Sequence, residues 1–173
     1  MIKNCYHTQE NRGNDKLTSP IKCLRDDAWF GDAYYYWESI DDADFWGRVS
    51  KRATGKYDVY SSNIESDGFL DTVFNEKHYR VWLNSIEKLA LKFKIEMGKT
   101  LSLKELNDYF KQKGLYKDIN GVVFQDISNN DDHYIIKGMQ YKKRIQLAVF
   151  NKETVKDFVF LHTQKSKGYD RYR

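Results

Sequence analysis

The sequence contains little proline and little cysteine, and it lacks any long apolar run. Pro20 is the only proline in the 173 residues, and Cys5 and Cys23 are the only cysteines. Two cysteines at this spacing match neither a metal site nor a disulfide framework, which favours a reducing compartment. Because no apolar signal-peptide core opens the chain and no segment is apolar for long enough to cross a bilayer, we expect a cytoplasmic protein without a membrane partner.

The motifs of several common enzyme classes are missing as well. The four histidines show no spacing typical of zinc sites, so we expect no bound metal. No Gly-x-Ser-x-Gly turn is present, and neither cysteine has the local sequence of a catalytic cysteine. A glycine-rich phosphate loop of the Rossmann or Walker type is also absent. Nucleophilic acyl transfer and conventional dinucleotide binding are therefore disfavoured.

Aromatic residues, in contrast, are abundant. Tyrosine, phenylalanine and tryptophan number 13, 10 and 4, which is 16% of the chain. Most should fill the core, but flat rings would also suit a ligand with stackable rings, such as a nucleotide or nicotinamide.

The net charge is +4, with cations and anions mixed along the chain. We expect the basic clusters at 142–144 and 165–173 to be solvated charge runs, although either could contact phosphates.

Length and hydrophobic periodicity predict a single α+β domain over residues 1–163, followed by a basic tail over 164–173. Ser39 and Ser102 are typical helix N-caps, and Gly55, Gly98 and Gly114 are typical stops. Apolar spacing predicts helices near residues 40–53, 75–96 and 103–113. Strands are predicted near residues 2–8, 33–37, 56–64, 121–126, 134–137, 144–150 and 157–163, and the polar segment 9–27 is predicted to be a long connection.

Three short segments stand out for their order and spacing. They are Tyr6-His7-Thr8; then Phe30-Gly31-Asp32-Ala33-Tyr34-Tyr35-Tyr36, followed by Ala43 and Trp46; and finally Arg144-Ile145-Gln146-Leu147-Ala148-Val149. Together they resemble the three signatures of the ADP-ribosyltransferase superfamily, in the His-Tyr-Glu branch that includes diphtheria-type toxins and poly-ADP-ribose polymerases. The resemblance covers about residues 5–150. It implies a split, bent mixed β-sheet flanked by helices.

The resemblance also implies that NAD is bound as a substrate. His7, Tyr35 and Gln146 would be the catalytic residues, and the NAD-binding set would be His7, Thr8, Gly31, Tyr35 and Tyr36. In the family, the histidine donates to a nicotinamide-ribose hydroxyl and the hydroxyl residue beside it steadies the nucleotide. The tyrosine stacks on nicotinamide, and the third-strand residue orients the ribose. Tyr36 would point to the other face of its strand, toward the core.

Gln146 has support from the strand pattern alone. Ile145, Leu147 and Val149 alternate with it, so an apolar face toward the core leaves Gln146 on the opposite face, where it could line a cleft. Its amide can hydrogen-bond a ribose hydroxyl but cannot act as a base or stabilise positive charge as a carboxylate does. This favours mono-transfer over polymer elongation. Asp126 and Asp71 are candidates for the carboxylate missing at position 146.

Two further departures from the family pattern are visible. No glycine separates His7 from Thr8, and Ala33 stands where the second glycine of the second signature is expected. The expected function is an NAD-dependent mono-ADP-ribosyltransferase acting on a protein or a nucleic acid. Such small enzymes resemble bacterial toxins and phage-defence components, which implies an antitoxin or immunity protein as a partner.

Two alternatives remain open at this point. One is a catalytically weak module that binds NAD or a nucleotide, which is favoured by the glutamine at position 146. The other is an interaction or nucleic-acid-binding domain that uses the aromatic strand as a stacking platform. Taken singly, His7, Tyr35 and Gln146 would each also fit an ordinary structural role.

Overall fold

A computed structural model describes residues 1–126 and 143–166. These residues form seven strands and three helices, which confirms the α+β class and the mixed sheet. The predicted strand at 134–137 and the end of the tail lie outside the described residues. The elements are β1 (Ile2–Glu10), β2 (Tyr34–Trp37), α1 (Ile40–Ser50), β3 (Lys56–Glu65), β4 (Phe69–Asp71), α2 (Glu76–Met97), α3 (Leu103–Gln112), β5 (Gly121–Asp126), β6 (Arg144–Val149) and β7 (Val155–Lys165).

The strands form one sheet in the order β4-β5-β6-β2-β1-β3-β7. All neighbours are antiparallel except β4 and β5, which run parallel. The three-residue β4 is too short for its periodicity to be read from the sequence. β7 extends beyond the expected domain boundary at residue 163, because Lys165 pairs with Lys56 and the amide of Ser166 donates to Gly55 O at 2.9 Å. The first residues of the expected tail therefore belong to the sheet.

The helix boundaries follow local capping chemistry. Ser102 and Glu105 form the predicted capping box at the start of α3, with Ser102 Oγ accepting from the Glu105 amide at 3.2 Å. Gly98 ends α2 in the left-handed conformation, at φ +64. α1 stops earlier than its apolar spacing predicts: it ends at Ser50, and Ala53, expected on the inner face, is exposed.

The two faces of the sheet bury different clusters. One face carries a core that includes Cys5, Tyr36, Ile64 and Leu147. The opposite face, called here the helix face, packs against α1, α2 and α3. Alternation in β2 places Tyr34 and Tyr36 on the first face and Tyr35 and Trp37 on the helix face.

β1 and β2 are joined at one point and then separate. Tyr6 and Trp37 are the one register pair between these two strands, whereas β1 pairs with β3 along its whole length. Past Tyr6, the segment that precedes β2 is bridged instead by Cys23, which pairs with Ala33. The separation opens a cavity on the helix face of the sheet.

Candidate functional site

The cavity at this separation has a volume of about 510 Å³. It brings together His7 and Thr8 from β1, Tyr35 from β2 and Gln146 from β6, four of the residues expected from the sequence. The other two residues expected to bind NAD, Gly31 and Tyr36, do not line the cavity. Residues distant in the chain therefore meet in one place because β2 lies between β1 and β6 in the sheet.

Tyr35 is held rigidly at the wall of the cavity. Its hydroxyl donates to Gly31 O at 2.9 Å and accepts from the Phe30 amide at 3.2 Å. Its ring meets Phe124 edge-on, with centroids 6.3 Å apart and an interplanar angle of 89°. Burial raises the pKa of Tyr35 well above its usual range, so the phenol stays neutral. Tyr35 thus offers the cavity an aromatic surface in a fixed position, while its hydroxyl is occupied by hydrogen bonds to the backbone.

Gly31 and Tyr36 have supporting positions. Gly31 adopts φ +65, and a Cβ added there would lie 2.0 Å from Oδ1 of Asp108, so glycine suits this turn. Its carbonyl anchors the hydroxyl of Tyr35, while the backbone on either side is held by Lys111, whose Nζ donates to Phe30 O at 2.6 Å. Tyr36 is fully buried in the core on the other face, as strand alternation predicts. The geometry gives neither residue a surface in the cavity.

His7 borders the cavity and is tied to the backbone of Tyr35. Its Nδ1 lies 2.9 Å from Tyr35 O, and its ring centroid lies 5.4 Å from that of Tyr36. Burial lowers the pKa of His7 to about 4, so the ring is neutral at pH 7. Because a carbonyl only accepts, Nδ1 carries the proton and Nε2 has only a lone pair.

This geometry reverses the hydrogen-bond direction that the family resemblance implies for His7. Nε2 is buried and has no hydrogen-bond partner among residues 1–126 and 143–166. A nitrogen with only a lone pair can accept a hydrogen bond but cannot donate one. The neighbouring Thr8 uses its own hydroxyl to donate to Ala43 O at 2.9 Å, which fixes β1 against α1.

Gln146 lies on the helix face, as its strand pattern predicts. It is half-buried, and in the sheet it pairs with Trp37 on β2 and Phe124 on β5. Leu147 and Val149, its neighbours in the alternation, are fully buried on the other face. The amide of Gln146 is therefore set between two aromatic side chains at the floor of the cavity.

Arg144 and Asp126 form an ion pair beside Gln146. The guanidinium lies over the rings of Trp37 and Phe45, at 5.4 and 5.1 Å from their centroids, and it also contacts the Asp126 carboxylate. Only 7% of Arg144 is exposed. The expectation that 142–144 is a solvated charge run is thus wrong for Arg144. Its alternation with Gln146 along β6 was the signal that could have placed it on the cavity face.

Of the two carboxylates considered as replacements at position 146, the fold brings only Asp126 into the cavity. Burial raises the pKa of Asp126, and the attraction of Arg144 works against that rise. Asp71 has a structural role instead. Its Oδ1 accepts from the amides of Val73 and Phe74, at 2.9 and 2.8 Å, and so holds the turn after β4.

The rest of the cavity is lined by aromatic residues and by charged residues of both signs, with basic residues in slight excess. Trp29, Trp37 and Trp46 line it, and four basic residues stand around it, namely Arg12, Lys22, Arg25 and Lys51. Three carboxylates are present too, on Glu10, Asp27 and Asp126. Aromatic rings bind flat groups, and guanidinium and ammonium groups bind phosphates. A ligand with planar rings joined by phosphates matches both features. The high aromatic content of the sequence did not show where in the fold such a ligand would bind.

Two kinds of feature are absent from the part of the chain that the structure describes. Residues 1–126 and 143–166 contain no group of three or more His, Cys, Asp or Glu side chains placed to hold a metal ion. Within the same ranges, no helix has the length and apolar character needed to span a membrane.

Comparison of the chain with family models, with curated proteins and with solved structures gives no match. The likeness to ADP-ribosyltransferases therefore rests on the three short segments, and the function must be argued from the geometry of the cavity.

Proposed function

We propose that this protein is an NAD-dependent mono-ADP-ribosyltransferase, with the cavity between β1 and β2 as its active site. The observation that carries the proposal is the convergence of Thr8, Tyr35 and Gln146 on one cavity, with His7 hydrogen-bonded to the Tyr35 backbone. The ordered signatures and the split between β1 and β2 both favour it, since the resemblance implies a split sheet.

The parts of the cavity match the parts of NAD. The nicotinamide ring would lie against Tyr35 and Phe124, where aromatic surface is fixed before a ligand arrives. The diphosphate would be bound by basic residues of the lining, such as Arg12 and Lys22. His7 acts as a positioning residue by holding the Tyr35 carbonyl.

The proposed reaction is a substitution at C1′ of the nicotinamide ribose. The bond from C1′ to the nicotinamide nitrogen breaks, and nicotinamide leaves as a neutral molecule with the bonding electron pair. A nucleophile of the acceptor forms the new bond to C1′ and loses its proton to water. Gln146 would orient the ribose, and the negative charge that favours a cationic centre would come from Asp126, which is paired with Arg144.

The test is a direct assay of nicotinamide release and label transfer. Purified protein is incubated with NAD labelled in its adenylate part and with a bacterial lysate, and labelled macromolecules and free nicotinamide are measured. We expect Gln146→Ala to lower transfer by about 100-fold, because a side chain aimed at the reacting sugar is removed. Gln112→Ala, on the exposed end of α3, is the matched control and should transfer at the wild-type rate. Equal rates in the two variants would refute the role of Gln146.

A catalytically weak NAD-binding module is the second candidate, favoured by the amide at position 146. It predicts NAD binding by calorimetry without nicotinamide release. If oligonucleotides bind while NAD does not, the alternative of a nucleic-acid-binding domain replaces the proposal.

As a toxin-like transferase in the cytoplasm, with an antitoxin or immunity partner, the protein should arrest bacterial growth when expressed alone, and Gln146→Ala should relieve the arrest.

A further inference from the structure

A second cavity of about 550 Å³ lies beside the first on the same face of the sheet. Trp29 and Phe124 line both cavities, and their ring centroids are 6.1 Å apart, so they form a shared wall. The remainder is built from the turn after β4, the first turns of α2 and the edge of β5. Nothing in the reaction of NAD alone requires this space.

The second cavity is floored by a continuous series of aromatic rings. Phe30 contacts Phe124 and Trp82, with centroids at 4.7 and 5.8 Å, and Trp82 in turn contacts Tyr79 at 6.3 Å. At the mouth, Phe74 is 58% exposed and Tyr79 is 41% exposed. Large exposed aromatic side chains beside a cavity present stacking surfaces that a core does not need.

Positive charge accompanies the exposed rings. The ammonium group of Lys143 lies 4.4 Å from the centroid of the Phe74 ring, and that of Lys3 lies 5.3 Å from it. Lys3 also pairs with Glu38 at 2.6 Å, which leaves Lys143 as the more available cation. Rings that stack on bases, with ammonium groups beside them for the backbone phosphates, are the usual combination in proteins that bind single-stranded nucleic acid.

The amide group of Asn75 at the cavity wall could read the edge of a flat ring. Asn75 uses its Oδ1 to accept from the His78 amide at 3.1 Å, so its NH₂ group is left to donate. Side-chain amides both donate and accept, as the edges of unpaired bases require.

We propose that the second cavity is the acceptor site and that the acceptor is a base of a single-stranded nucleic acid. This rests on the proposed function. The base stacks on Phe74 and Tyr79, and its exocyclic amine would approach C1′ of NAD where the two cavities meet, at Trp29 and Phe124. The amine nitrogen bonds to C1′ as nicotinamide leaves with the bonding electron pair, and the amine's proton passes to water.

Binding is tested first, without NAD. Fluorescein-labelled single-stranded DNA and RNA of mixed sequence are titrated with the full chain, and anisotropy is recorded at low and moderate salt. We expect Phe74→Ala and Tyr79→Ala each to weaken binding about tenfold, since each removes one stacking surface. Ile95→Ala, an exposed apolar position further along α2, is the control and should bind as the wild type does. Circular dichroism verifies that all variants fold.

Transfer is tested second, with labelled NAD and the same oligonucleotides. Label on the oligonucleotide that falls in Phe74→Ala, while NAD binding is unchanged, supports the acceptor site. Undiminished oligonucleotide binding in both variants overturns it, as does label that appears on proteins and never on oligonucleotides. If the protein neither binds NAD nor releases nicotinamide, the proposed transferase function is wrong. That failure is distinguishable from failure of the acceptor site, because it does not depend on whether oligonucleotides bind.

Discussion

At the residue scale, the cavity is ordered by hydrogen bonds that involve side chains and backbone together. His7 holds the carbonyl of Tyr35, the hydroxyl of Tyr35 holds Gly31, and Thr8 holds Ala43 of α1. A site already fixed in this way loses little conformational entropy when a ligand binds. Through these bonds His7 supports the backbone of β2 at the wall of the cavity.

The buried His7 should make stability depend on pH. Its pKa is lowered from 6.5 to about 4 in the folded protein, so between these values the unfolded chain takes up a proton that the folded chain does not. The free energy of unfolding should therefore fall as the pH drops from 6.5 to 4, by at most about 3 kcal/mol from this residue.

Urea denaturation at both pH values measures this effect, with His7→Asn for comparison. An asparagine NH₂ can still donate to Tyr35 O but does not titrate. We expect the acid-induced loss of stability to be smaller in the variant. An identical loss in both proteins would show that other groups, such as the carboxylates, account for all of it.

At the scale of secondary-structure elements, the contact between α1 and β3 is set by one glycine. Gly47 is buried against the ring of Tyr57, and an added Cβ would lie 2.2 Å from the nearest ring carbon. The ring cannot move aside easily, because the hydroxyl of Tyr57 donates to Asp44 at 3.0 Å and lies 3.1 Å from the side-chain amide of Gln164, and the side chain is fully buried.

Gly47→Ala should therefore destabilise the protein by about 1–3 kcal/mol, by overpacking. Helix propensity alone predicts the opposite sign, a gain of about 1 kcal/mol. Ser50→Ala, in the last turn of the same helix, raises propensity without adding atoms and should be close to neutral. Thermal and urea unfolding distinguish the two explanations, and a stabilised Gly47→Ala protein would contradict the packing described for α1.

The elements also show which features the sequence could predict. The α3 capping box and the Gly98 stop were predictable because their chemistry is local, within a few residues. β4 was not, since three residues carry no period and its pairing with β5 involves residues some 50 positions away. The end of α1 also escaped prediction, because apolar spacing continues to Ala53 while the helix itself ends at Ser50.

For the candidate site, strand alternation placed Gln146 and Tyr36 on the faces where they lie. The ion pair of Arg144 with Asp126 depends on register between two strands, which no local pattern specifies. The second cavity depends on the packing of α2 against the turn before it. Both features needed the assembled sheet.

At the scale of the whole molecule, ligand binding should appear as added stability. A ligand at 100 times its Kd that binds only the folded state adds about 2.7 kcal/mol. For a chain of this size, that raises Tm by about 5–10 °C. We expect this shift with NAD, and a smaller one with ADP or nicotinamide alone at equal concentration, because each occupies only part of the cavity. Differential scanning fluorimetry measures the shift, with Gln112→Ala as a control, and an unchanged Tm at millimolar NAD would contradict NAD binding.

The single register pair between β1 and β2 has a mechanical consequence. β1, β3 and β7 are paired along most of their lengths, as are β2, β6 and β5. The sheet therefore consists of two groups of strands, whose backbones pair with each other only at Tyr6 and Trp37. A small rotation about that point would break few backbone hydrogen bonds, but it would stretch the bond between His7 and the Tyr35 carbonyl and change the width of the cavity. We therefore expect the backbone amides at the boundary between β1 and β2 to show the fastest hydrogen exchange in the sheet, ahead of those next to the turns at the strand ends.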